Sequence, residues 1–534
     1  MPKQSAFPSP LCGVRALSVR TIRTLRTHRP PTSLKTLSSI FATMALTALT
    51  WAAFGACPSR AADLPTGVQC KLFYDTSAIH FNAPVWFGEF PGALGTFLVG
   101  EATGGLNLLE PDGAGYKSTV FGKITTEFFA GNDGLLGLAF HPGFRSNHKY
   151  YVYSIQVRGT AVLEERQASA DFRSDAGTSR ILLRNVFQNV VHNGGDMHFG
   201  FDGYLYLGLG DAGNPNVYNT RSQDLSIYPG KMLRIDVDQK DAGLEYAIPK
   251  DNPFVKETDP YLKKEIYAYG LRQPWRWNFD PLDGRLVVGE VGDWVQEEVD
   301  IVRKGGNYGW SRMEGNTCFN GADEISPLDH CDGAGLTPPI AVIPHVPVST
   351  APTACIIGGY VFRGDAASEF YGAYIFGDWQ TRKLYGLKIG AGAAGEGTGT
   401  PVAIGMAPDG MSTFGTDSKG NIYVAGYNSG VILRLDHPGL VGKGVSIRRV
   451  DASPMAREPR RLGRSGLPGT SWRIEAGSFP AGADLSIMDI DGRVLKRFGA
   501  TEVASGTDLD LPQGLYVGRT SVRGRAGAFP MVLR

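Results

Sequence analysis

The chain lacks an excess of either charge: 53 Lys and Arg stand against 52 Asp and Glu in 534 residues. That balance excludes a protein that tracks a nucleic-acid backbone, which needs a basic footprint; no nucleic-acid partner is expected. Beyond Ala56 no apolar run is long enough to span a bilayer. Sustained helical periodicity is missing too, and Ala161–Asp171 is the best short helical candidate, read as part of an inserted loop. Six cysteines are too few for a disulfide-dense scaffold. Residues 1–62 lack Asp and Glu altogether while carrying Arg15, Arg20, Arg23, Arg26, Arg29 and Lys35. An apolar run from Leu37 to Ala56 and the small residues of Ser59-Arg-Ala-Ala62 follow. A basic segment, an apolar segment and small residues predict a leader over 1–62, cut near Ala61 or Ala62, with a retained anchor as the alternative. The protein is therefore expected to be exported, to the periplasm, the cell surface or the medium. There Cys318 and Cys331, which bracket a short polar loop, are the expected disulfide; a pairing of Cys70 with Cys355 is left open.

Glycine is abundant instead, 70 residues, about twice average usage and without a collagen-like period. From about Val85 the glycines punctuate short strands of alternating aromatic and aliphatic residues. Six such units are Gly95–Glu101, Lys149–Ile155, Gly203–Gly210, Gly284–Glu290, Gly372–Asp378 and Gly420–Gly426. Recurrent turn–strand–turn units predict an all-β fold, a six-bladed β-propeller over 63–438; a sandwich is the alternative. An Arg-, Pro- and Gly-rich segment, 439–469, reads as a solvated linker. Residues 470–534 read as a small, sandwich-like β domain.

Four motifs carry chemistry. In Gly289-Glu-Val-Gly-Asp-Trp-Val-Gln-Glu-Glu298, glycines allow carbonyls to converge and Glu297 and Glu298 add carboxylates; convergent hard oxygens suit Ca²⁺. His192-Asn-Gly-Gly-Asp196 puts an imidazole on a glycine-hinged loop, where it suits a general base. Gly208-Leu-Gly-Asp-Ala-Gly213 offers Asp211 as a carboxylate to orient that histidine. In Tyr269-Gly-Leu-Arg-Gln-Pro-Trp275 a rigidifying Pro274 follows Arg272, which presents a planar donor fork.

The stretch 289–310, ending Gly305-Gly-Asn-Tyr-Gly-Trp310, together with Gly131-Asn-Asp-Gly-Leu-Leu-Gly-Leu-Ala-Phe-His-Pro-Gly-Phe144, resembles the glucose/sorbosone dehydrogenase family over about Val85 to Leu435. The resemblance implies oxidation of an aldose or related sugar to its lactone or acid, with pyrroloquinoline quinone (PQQ) as hydride acceptor, Ca²⁺ as metal and an external electron acceptor. It implies His192 as base, Asp211 as its partner and Arg272 beside the reactive cofactor carbonyl. Gln273 and Trp275 become cofactor contacts, and Asn132 and Asp133 meet the substrate. Gly292, Asp293 and Tyr308 supply carbonyls, and Glu298 a carboxylate, to the metal; Asp293 stands where the family often has Gln. His141 reads as structural. The family's late cations for the cofactor carboxylates are poorly matched: Gln380 or Arg382 stands at the Lys position, and Pro408-Asp-Gly-Met-Ser412 where Arg-x-Arg is expected. This pattern is also similar to Hedgehog-interacting-like propellers, so a Ca²⁺-stabilised propeller binding carbohydrate or protein is the alternative. The tail, with Asp489-Ile-Asp-Gly-Arg493 and Leu511-Pro-Gln-Gly-Leu-Tyr516, resembles sorting domains of type IX secretion cargo and implies the secretion machinery as a partner; a carbohydrate-binding or stabilising module is its alternative.

Overall fold

A computed structural model describes residues 64–442 except 94, 129–132, 157–158, 187–190, 214–219, 320–332, 346–353, 366 and 390–398, and beyond 442 chiefly the strands of the tail. The expected leader, Asn132 and Cys331, and with Cys331 the expected disulfide, lie outside the described residues.

The chain between 69 and 436 forms six four-stranded antiparallel sheets, the blades of a β-propeller. Blade one comprises Pro84–Glu89, Phe97–Glu101, Gly105–Asp112 and Gly115–Lys123; blade two Leu135–Phe140, Lys149–Gln156, Thr160–Ala168 and Asp175–Val186. Blade three comprises Met197–Phe199, Leu205–Leu209, Lys231–Ile235 and Ile266–Tyr269; blade four Pro274–Phe279, Leu286–Glu290, Gln296–Val302 and Ala341–Pro344. Blade five comprises Ile356–Val361, Ala373–Asp378, Lys383–Lys388 and Val402–Met406. Blade six takes Met411–Thr416, Ile422–Gly426 and Val431–Asp436 from the end of the ring and Gln69–Leu72 from its beginning, with Cys70 opposite Leu435. Each turn–strand–turn unit recognised in the sequence is the second strand of one blade.

Two expectations are corrected. Ala161–Asp171 is not helical: Thr160–Ala168 is a strand paired on both sides, with Lys149–Gln156 and with Asp175–Val186. Its Glu-Glu-Arg-Gln composition favours helix locally. The pairing is reinforced by ion pairs from Arg180 to Glu165 at 2.7 Å and from Arg166 to Asp175 at 2.5 Å, and tertiary context overrides propensity. The segment 439–469 is not linker throughout. Leu440 is buried at the end of a short 3₁₀ turn, and Ile447–Val450 is a strand of the tail, pairing with Ser471–Ile474. The tail's strands form one three-stranded and one four-stranded sheet. No bond joins Cys70 to Cys355: the Cys70 sulfur lies 3.9 Å from the Met406 carbonyl, and Cys355 is buried before the inner strand of blade five.

Five of the six inner strands shift register against their neighbour close to their first residues, at Pro84/Trp86, Leu135/Gly137, Pro274/Arg276, Ile357/Tyr360 and Met411/Thr413. Such irregularities bend a strand and re-aim its side chains. Here they recur at the end of the central channel where the connections before the inner strands meet those between second and third strands. Across the axis, the Trp275 indole N–H donates to the Ser412 carbonyl at 3.0 Å, and Arg276 Nη2 to the Val85 carbonyl at 2.6 Å, tying blade four to blades six and one. Trp275 is thereby committed to the core, 1% exposed.

Candidate active site at the channel mouth

His192 precedes the inner strand of blade three, and Asp211 follows that blade's second strand. Their connections are pressed together: the Ala212 N–H donates to the His192 carbonyl, and a Cβ on Gly210 would lie 2.0 Å from that same oxygen. Only glycine fits at 210. His192 itself adopts φ +54°, a left-handed conformation costly for a non-glycine residue and one that functional sites tend to retain. Its Nδ1 lies 2.8 Å from Asp211 Oδ1. Asp211 is 1% exposed and also accepts the Gly213 N–H and the Trp310 indole N–H, each at 2.8 Å. Burial alone would push the Asp211 carboxyl up; the adjoining His192, Arg272 and Gly213 N–H outweigh it and hold the group below its ordinary value. The expected pair is therefore formed, with an ionised carboxylate behind the imidazole.

Arg272 and Gln273 precede the inner strand of blade four. The Arg272 carbonyl accepts from Asp211 N–H at 2.7 Å, and Gln273 Oε1 accepts from Gly194 N–H at 3.0 Å, so both residues are joined to the histidine loop. Both backbone N–H groups of this pair donate to Glu290 Oε1, which the sequence reading did not single out. The Arg272 guanidinium donates to the Val291 carbonyl at 3.1 Å and to Asp293 Oδ1 at 2.5 Å, and sits 5.4 Å from the Trp310 ring centroid. The Asp293 carboxylate is thus paired with Arg272, separately from the carbonyl that the resemblance assigns to the metal. Asp133 is buried before the inner strand of blade two. Gln380 and Arg382 lie on the connection between the second and third strands of blade five; Arg382 is exposed and donates to the Pro408 carbonyl at 3.3 Å.

The acidic stretch divides by strand alternation. Glu297 points to one side, where it accepts from Ile356 N–H at 2.9 Å and pairs with His345 at 2.6 Å. Glu298 and Asp300 point to the other, with Glu298 in register with Glu290. Glu298 Oε1 accepts from Gly315 N–H at 2.7 Å. Glu314 Oε1 caps the N–H groups of Asp293, Trp294, Val295 and Gln296, shaping the loop that carries Gly292 and Asp293. Glu290 Oε2, Glu314 Oε2 and both Asp300 carboxylate oxygens are buried with no hydrogen-bond partner among the described residues. Burial pushes Glu298 up to about 8, with Glu314 and Glu297 adding to it, and pushes Glu290 and Asp300 well above the usual carboxylate range.

Orphaned buried carboxylate oxygens are the chemistry a hard cation satisfies. No three His, Cys, Asp or Glu side chains among the described residues converge closely enough to form a cage of their own. A cation here would draw on carbonyls as well as carboxylates, which suits Ca²⁺; Tyr308 lies within reach of the Asp300 charge, which helps to raise its phenol. Glu290 and Asp300 escaped the sequence reading because a valine-rich strand hides their shared face; pairing the two strands in register would have exposed it.

Residues 82–426 match the Glucose / Sorbosone dehydrogenase family. The HIPL1 protein of Arabidopsis thaliana is 30% identical over 364 residues, 58% of this chain and 50% of that protein. Aldose sugar dehydrogenase YliI of Escherichia coli is 32% identical over 187 residues, 34% of this chain and 46% of that protein. The chain spans about half the length of the curated relatives it matches. Among solved structures, the PQQ-bound form of aldose sugar dehydrogenase from Streptomyces coelicolor superposes with a TM-score of 0.51 at 22% identity, covering 70% of this chain and 98% of that one; this likeness supports the propeller fold. Taken with the match over 82–426, it follows that the chain belongs to the glucose/sorbosone dehydrogenase family.

Proposed function

We propose that this protein oxidises an aldose or related sugar at the channel mouth, with His192 as general base. The observation that carries the reading is the His192–Asp211 pair. With Nδ1 bonded to the buried carboxylate at 2.8 Å, Nε2 is the atom left to accept a proton, and the ring is 15% exposed. Asp211 holds the imidazole's orientation and stabilises it once charged. Arg272, backed by the Trp310 ring, supplies the cation beside the reacting centre. PQQ, when bound, supplies the hydride acceptor. The residues fit its reacting edge, through Arg272 and Gln273, better than its carboxylates, for which Arg382 is the cation at the positions where the family's late cations are expected. The buried acids hold Ca²⁺ and brace the backbone of Arg272 and Gln273 through Glu290. The leader over 1–62 would place this activity outside the cytoplasm.

Purified protein reconstituted with Ca²⁺ and PQQ should reduce an artificial dye in the presence of some aldose, and His192→Gln should lower turnover by roughly 100-fold or more. No turnover across a broad sugar panel, from a folded protein that calorimetry shows to take up no PQQ at micromolar concentration, refutes it. The poor match at the late cations favours one second reading, a Ca²⁺-stabilised propeller that binds carbohydrate or protein without redox chemistry, and that outcome would select it.

A further inference from the structure

We infer that Trp310 is a positioning residue for both His192 and Arg272; this rests on the reading of His192 as base. A carboxylate orients an imidazole only if its own rotation is fixed. Asp211 Oδ1 faces His192 Nδ1 and the Gly213 N–H. Oδ2 receives the Trp310 indole N–H at 2.8 Å, from a residue 99 positions away in the chain. Donors on both oxygens set the plane of the carboxylate and hence the direction of the lone pair that His192 meets. The same indole lies against the Arg272 guanidinium, 5.4 Å from ring centroid to carbon.

Trp310 is itself anchored. Its N–H donates to the Gly270 carbonyl at 2.9 Å, its carbonyl accepts from Gln223 Nε2 at 2.7 Å, and its ring packs against Phe319 at 4.6 Å. It is 7% exposed. A residue present for packing alone needs no N–H aimed at the carboxylate behind the proposed base. One side chain therefore fixes the spacing between the base and the cation, two residues beyond Tyr308 in the chain.

The test uses the full chain. Trp310→Phe keeps a ring for Arg272 and Phe319 and deletes the N–H. It should melt near the wild type, lose or broaden the downfield proton resonance of His192 Nδ1–H, and lower kcat about tenfold or more with KM changed less than about threefold. Phe319→Leu, which loosens the packing and leaves the N–H in place, should keep both the resonance and kcat. A Trp310→Phe protein with an unchanged His192 resonance, or a Phe319→Leu protein that reproduces its losses, overturns the assignment. Should Trp310→Phe not fold, the indole N–H resonance of Trp310 decides: it should move in His192→Gln, and an unmoved resonance overturns the assignment. The resonances report on positioning even if no sugar is turned over, so failure of the dehydrogenase reading is told apart from failure of this one.

Discussion

Glu298 supplies the sharpest test of the metal reading, because its burial has a pH signature. In the metal-free fold its carboxyl is pushed from an ordinary 4.5 up to about 8. The folded protein then holds a proton that the unfolded chain releases near pH 4.5, so stability is highest below that pH and falls as pH rises toward 8. At about 1.4 kcal/mol per pH unit, the loss between pH 5 and pH 8 reaches about 4 kcal/mol as an upper bound. Glu290 and Asp300, raised by the same burial and by the charge of Glu298, act in the same direction. For a domain of this size the melting temperature of chelated protein should fall by roughly 5–10 °C between pH 5 and pH 8. Ca²⁺ needs the ionised acids, so its rescue should be small at pH 5 and large at pH 8, about 2.7 kcal/mol at a hundredfold excess over Kd. Glu298→Gln should flatten the pH dependence in chelator and blunt the Ca²⁺ effect. Differential scanning calorimetry across the pH range, with and without chelator, reads all of this. A chelated wild type that melts at one temperature from pH 5 to pH 8, or a Ca²⁺ shift of equal size at both ends, refutes the reasoning.

Gly210→Ala would drive a Cβ into the His192 carbonyl; overpacking of this kind costs about 1–3 kcal/mol, and circular dichroism melts should show the loss together with a weakened His192 Nδ1–H resonance. Truncation after Gly442, which keeps buried Leu440 and the Gly442 N–H bond to Asn421, should leave propeller melting and Ca²⁺ binding unchanged while the protein stops short of the cell surface; normal surface delivery in fractionated cells argues against the sorting role, and lost polysaccharide affinity marks the tail as a binding module.

The blades were legible because each second strand is flanked by turn glycines and alternates aromatic with aliphatic residues, as in Gly203-Tyr-Leu-Tyr-Leu-Gly-Leu. The inner strands were not. Pro274-Trp-Arg-Trp-Asn-Phe279 and Ile356-Ile-Gly-Gly-Tyr-Val361 line a channel crossed by tryptophan and arginine, and their bulges break strict alternation. The closing strand Gln69–Leu72 was hidden for another reason: its partner lies more than 350 residues away in sequence. At the site, local glycine and proline context singled out His192, Asp211 and Arg272, which the structure brings together, while their roles came from the resemblance. Glu290, Glu314 and Trp310 became visible only once the fold set their partners across loops, since nothing in a strand's valines or a turn's glutamate announces which backbone N–H it will receive.

The two functional readings differ chiefly in charge. The groups that the proposed oxidation calls on stand together at one corner: a buried carboxylate, an oriented imidazole and a guanidinium joined through backbone bonds. A module that only binds has no need of an imidazole held in left-handed backbone with one nitrogen tied to an ionised acid. Opposite that corner the charges needed by a trianionic quinone are thin. Charge-assisted bonds contribute roughly 1.5–3 kcal/mol each, so two fewer cations would weaken such a ligand by about 10²–10⁴-fold. Asp293 subtracts further, since its carboxylate is spent on Arg272 at 2.5 Å. If the base is used for oxidation, the cofactor's hold must come largely from the Arg272 end and from stacking in the mouth, with little from its carboxylates. If the proposed oxidation holds, affinity for the quinone and competence of His192 as base would be separable, with a weak cofactor affinity standing beside an intact His192–Asp211 pair.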